Sequence, residues 1–61
     1  MYIVLFTRKF ESGLLKGKEI ADNIKFSSWY SANDWINAVT GKLIENEYRI
    51  TNAWIEAYTG K

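Results

Sequence analysis

The chain has 61 residues, with eight Lys or Arg against seven Asp or Glu and a formal net charge of +1, a balance that excludes the strong sequence-independent attraction to phosphate shown by basic domains. It contains no His, Cys or Pro, which removes disulfides, zinc-finger ligands, thiol redox chemistry and His-activated serines, and leaves only carboxylates for a hard cation such as magnesium or calcium. Three Trp, four Tyr and three Phe are more aromatic area than one small core takes up, because a domain of this size buries only about 60% of the surface its unfolded chain exposes.

One domain over residues 1–61 is expected, near the lower size limit for a chain that folds without disulfides or metal, so packing or self-association must supply the stability. The apolar run Tyr2 to Phe6 is too short to span a bilayer and has no basic residue before it. The expectation is therefore a cytoplasmic protein with neither signal peptide nor membrane helix.

Residues 2 to 8 are rich in β-branched and aromatic side chains on both alternating faces, which predicts a central strand covered on two sides. Gly13 and Gly17 bracket Leu14, Leu15 and Lys16, so 9 to 18 is expected to be a long hairpin loop in which the two leucines either plug the core or meet a partner. From Glu19 to Phe26 the alternation puts Ile20, Ile24 and Phe26 on one face, a half-buried second strand weakened by Asp22 on its inner side. Ser27, Ser28 and Ser31 are candidate N-caps for a helix over about 29 to 41, whose apolar stripe comprises Trp29, Ala32, Ile36, Val39 and Leu43, with Trp35 beside it and Gly41 as the stop. After a polar turn at Glu45, Asn46 and Glu47, Tyr48 to Tyr58 alternates as a third strand in which neither face is cleanly polar.

These elements assemble as α+β, ββαβ: a three-stranded antiparallel or mixed sheet of order 2-1-3 with one helix packed on one face. A single helix shields one side only, so Tyr2, Val4, Phe6, Trp54 or Tyr58 are expected to line the uncovered surface, according to the register.

The segment Phe6-Thr-Arg-Lys-Phe-Glu-Ser-Gly-Leu-Leu-Lys-Gly17, followed by a short strand, a Trp-containing helix and a last strand, resembles small uncharacterised reading frames of bacteriophages and mobile elements. That resemblance implies a small protein acting by stoichiometric binding, for instance inhibition of a host enzyme or defence factor, in the host cytoplasm; it assigns no residue a role. The residues themselves point to a non-enzymatic binding protein that forms a homodimer and uses an aromatic sheet face or the 9–18 loop. The candidate contact residues are Tyr2, Phe6, Arg8, Lys9, Leu14, Leu15, Lys16, Trp54 and Tyr58. The alternative is a nucleic-acid or nucleotide module, with sheet aromatics stacking on bases and Arg8, Lys9, Lys16 and Lys18 meeting phosphates. Enzymatic work would fall on scattered carboxylates, of which Asp22 paired with Lys25 or Arg49 is the combination of interest; no catalytic residue, cofactor, metal or membrane contact is expected.

Overall fold

A computed structural model describes residues 1–59; the end of the unit expected over 1–61, Gly60 and Lys61, lies outside the described residues. The described residues form an α+β domain of strands β1 (Tyr2–Phe10) and β2 (Glu19–Phe26), helix α1 (Trp29–Val39), and strands β3 (Leu43–Ile44) and β4 (Tyr48–Ala57). The sheet order is β2-β1-β4-β3, each neighbouring pair of strands antiparallel. The three long strands thus lie as expected, with the most apolar in the middle, but the expected three-stranded sheet is corrected to four. Leu43 sits four residues after Val39 and mimics a further helical turn; instead α1 ends at Val39, Gly41 (φ +76°) redirects the chain, and Leu43 and Ile44 pair with Arg49 and Tyr48. The connecting turn places both Glu45 (φ +53°) and Asn46 (φ +56°) in the left-handed region.

Ser28 is the N-cap of α1: its Oγ accepts from the Ser31 N–H at 3.1 Å, satisfying one of the amide groups that open the helix. Thr40 closes the other end, its N–H and Oγ1 both donating to the Ile36 carbonyl at 2.9 and 2.6 Å. Ser28→Ala is expected to cost about 1 kcal/mol and, in a domain of this size, to lower Tm by roughly 5 °C; thermal unfolding followed by circular dichroism checks it. Towards the sheet the helix directs Ala32, Trp35, Ile36 and Val39, which pack with Val4, Phe6, Ile24, Phe26, Ile50, Ala53 and Ile55. Trp35, expected beside the stripe, is its anchor, with its ring 5.1 Å from Phe6 and 6.1 Å from Phe26. Trp29, expected on the stripe, is instead half exposed and meets Tyr30 edge-on at 5.6 Å.

Strand β4 carries a bulge. Leu5 pairs with Trp54 and Thr7 with Thr51, so two residues of β4, Asn52 and Ala53, stand opposite Phe6 alone. Asn52 absorbs the extra residue with φ +52°, a conformation Asn tolerates better than other residues bearing a Cβ. The bulge explains why the alternation of β4 gave no clean face. Before it, Tyr48 and Ile50 point towards the helix; after it, Ala53 and Ile55 do so, and Arg49, Thr51, Trp54 and Glu56 share the opposite side.

The register fixes both sides of the sheet. Val4 and Phe6, 0% and 3% exposed, look towards the helix together with Tyr2, Arg8 and Phe10. Arg8 pairs with Asp22 at 2.8 Å, and its guanidinium lies 5.8 and 5.1 Å from the Phe6 and Tyr48 ring centres. Asp22 is therefore engaged by Arg8 and not by Lys25 or Arg49. Its other carboxylate oxygen accepts from the Asn23 N–H at 2.7 Å, along the margin of the sheet that β2 forms.

Candidate interaction surface

Because α1 covers one side only, the domain is a slab measuring 35 × 23 × 15 Å between its outer Cα atoms. Its radius of gyration, 12.3 Å, exceeds the roughly 10.5 Å of a compact 61-residue domain. The uncovered side presents Ile3, Leu5, Thr7 and Lys9 from β1, Glu19, Ala21, Asn23 and Lys25 from β2, and Arg49, Thr51, Trp54 and Glu56 from β4. Trp54 is 50% exposed and donates from Nε1 to Glu56 at 2.8 Å. The Lys25 ammonium lies 4.5 Å from the centre of the Tyr58 ring, so that ring belongs to this side as well.

A second feature projects from one end of the slab. The Gly17 N–H donates to Phe10 O and the Phe10 N–H to Lys18 O, both at 2.9 Å, closing the base of the 11–18 loop. The Lys16 N–H donates to Gly13 O at 3.2 Å and the Lys18 N–H to Leu15 O at 2.9 Å, folding the tip on itself. Gly13 (φ +80°) and Gly17 (φ +85°) supply the left-handed conformations this path requires. The loop is also tied to the β3–β4 turn: the Glu11 N–H donates to Glu47 O at 2.7 Å, Ser12 Oγ to Asn46 O at 2.6 Å, and Arg49 Nε to Glu11 at 2.9 Å. The result is a braced tip carrying Leu14, which is fully exposed, and Leu15, which is 41% exposed. Leu14 does not plug the core, the alternative left open from sequence.

The structure sorts the candidate contact residues into three groups. Trp54 and Tyr58 lie on the open face with Lys9 at its end, while Leu14, Leu15 and Lys16 lie on the braced loop. Phe6 is corrected from contact surface to core, Tyr2 is half-buried on the helix side, and Arg8 is a strand residue held by Asp22 instead of a member of a basic loop. Sequence reasoning missed Ile3 and Leu5, and the charged residues Lys25, Glu19, Arg49 and Glu56 around them. The signal for their side was the jump of the apolar phase from Tyr48 and Ile50 to Ala53, Ile55 and Ala57 at Asn52.

Among the described residues there is no surface cavity and no cluster of three or more acidic side chains placed to hold a metal ion, and no helix is long and apolar enough to cross a membrane. The chain matches no known protein family, no curated protein and no solved structure.

Proposed function

We propose that this is a non-enzymatic binding protein that acts by stoichiometric association with another protein and also associates with itself. The observation that carries the reading is Leu14, a fully exposed leucine at the tip of a loop braced by backbone hydrogen bonds at its base and by the neighbouring turn. Presenting an apolar side chain on a pre-ordered tip lowers the conformational entropy lost on binding, a property of contact residues that core residues do not need. The resemblance to small bacteriophage reading frames supplies the kind of target, a host enzyme or defence factor in the host cytoplasm.

Nothing in the geometry favours the nucleic-acid alternative over this reading. Arg8 is withdrawn from the basic set by Asp22, and Glu11 and Glu47 lie beside the loop that carries Lys16 and Lys18. A labelled single strand is expected to show no binding even at about 50 mM salt.

The test of the reading is Leu14→Lys. A protein recovered on the immobilised wild type, then purified, should form a complex of fixed stoichiometry by light scattering. Leu14→Lys should weaken that complex at least about tenfold, the effect of losing one apolar anchor of about 1.4 kcal/mol, while leaving Tm unchanged. An unaltered complex removes the loop from the interface; a lowered Tm assigns Leu14 to the fold.

A further inference from the structure

We propose that the open face of the sheet is covered by a second copy of this chain, the two sheets stacking about a two-fold axis that lies between them and runs parallel to β1. The inference rests on the reading of the protein as a self-associating binder and names the surface and the pairing. Its first support is the arrangement of charge. At one end of the face Ile3 is flanked by Lys25 on β2 and Glu56 on β4; at the other Lys9 is flanked by Glu19 on β2 and Arg49 on β4. The four corners thus alternate in sign around the rectangle. A rotation about β1 exchanges the β2 side with the β4 side, laying Lys25 of each copy over Glu56 of the other and Glu19 over Arg49. The face is complementary to itself, as a two-fold interface demands.

Within the chain Lys25 and Glu56 meet only neutral groups, the Tyr58 ring and the Trp54 Nε1–H, while the fourth corner, Arg49, already donates to Glu11 and to the Gly41 carbonyl. The ion pairs among the described residues are Arg8–Asp22 and Arg49–Glu11, so Lys25, Glu56 and Glu19 have no oppositely charged partner of their own. The second support is the middle of the face. The same rotation lays Ile3 on Ile3 and Leu5 on Leu5 as an apolar seam along the axis, with Trp54 of each copy covering Asn23 of the other. Lys9 is the one like-charge meeting, at the rim where water screens it. An axis running across the strands would also match the corners, Lys25 with Glu19 and Glu56 with Arg49, but it would set Leu5 on Thr7 and Ile3 on Lys9.

The third support is shape: β1, nine residues long at about 3.3 Å per residue, lies between β2 and β4 at about 4.8 Å spacing, an extended face that a second sheet can lie against. Two such slabs, stacked about 10 Å apart, form a sandwich with a helix on each outer side. Of the exposed aromatic side chains, Trp54 is then placed between the sheets, while Trp29 and Tyr30 stay on the outer surface of the helix.

Sedimentation equilibrium on the full chain tests the proposal. The wild type is expected to be a dimer at micromolar concentration, and Lys25→Glu and Glu56→Lys should each raise the dissociation constant about tenfold by setting like charges opposite one another. An equimolar mixture of the two variants re-creates both attractive pairs in a heterodimer, whose dissociation constant should return to within about threefold of wild type. Leu5→Glu, at the centre of the seam, should leave a folded monomer with unchanged far-ultraviolet dichroism. A wild type that stays monomeric up to about 1 mM, a mixture no tighter than its components, or a dimer indifferent to Leu5→Glu overturns the proposal. Rescue of Lys25→Glu by Glu19→Lys in place of Glu56→Lys overturns the axis. A monomer that still loses its target on Leu14→Lys sinks the dimer and leaves the binding reading standing; a dimer that obeys the charge exchange but has no target dependent on Leu14 does the reverse.

Discussion

Phe6→Ala should leave the protein largely unfolded at 25 °C. Phe6 is 3% exposed, its ring rests 5.1 Å from Trp35, and it stands at the centre of β1 opposite the bulge of β4. Truncating a buried Phe costs about 3–5 kcal/mol through lost transfer energy and the cavity left behind. A single core in a chain this short supplies about 3–5 kcal/mol in total, so one substitution removes the margin. Urea titration followed by Trp fluorescence is the measurement: exposure of Trp35 should shift the emission to the red, whereas Trp29 and Trp54 are half exposed in the native state and contribute little change. Phe6→Leu should retain the fold with a lower midpoint. A Phe6→Ala protein with native stability and impaired binding would restore Phe6 to the contact surface.

The second large effect belongs to Asn52. Its φ of +52° lies in the left-handed region, where a β-branched side chain meets the backbone, so Asn52→Val should destabilise the domain by about 2 kcal/mol. Asn52→Gly should be within roughly 0.5 kcal/mol of wild type, since Gly pays no Cβ penalty there but loses more freedom on folding. Deleting Asn52 is the more telling change. It returns β4 to strict alternation while keeping Tyr48, Ile50, Ala53 and Ile55 on the helix side, so the fold should survive deletion better than it survives valine. Denaturant midpoints of the three variants settle the order, and a deletion less stable than Asn52→Val would show that the bend itself, and not the register, is what the bulge provides.

Much of the architecture was legible because the relevant signals are local. β2 follows from the alternation of Ile20, Ile24 and Phe26, and α1 from a Ser cap and the spacing of Ala32, Ile36 and Val39. What was not legible depends on residues far apart in sequence. β3 is only two residues long and exists because Leu43 and Ile44 find β4 across a turn; taken alone, they continue the helical spacing. The sidedness of Trp54 depends on the residue inserted at Asn52, after Tyr48 and Ile50 have set the opposite phase, and strict alternation placed it with Tyr48. Arg8 looked like part of a basic loop because β1 runs four residues past its apolar run Tyr2 to Phe6, and its partner Asp22 is fourteen residues away on the next strand. Leu14 and Leu15 were ambiguous for a simple reason: composition says that leucines need cover and not which molecule provides it.

The carboxylate of Asp22 has a consequence for how the chain behaves when crowded. An outermost strand eight residues long with no proline is an invitation to ribbon growth, one copy adding to the next without limit. By engaging the Asn23 amide while its other oxygen pairs with Arg8, Asp22 occupies a donor that an incoming strand would need. Growth of a ribbon along the β2 margin is thereby discouraged, while the broad open face is left unobstructed.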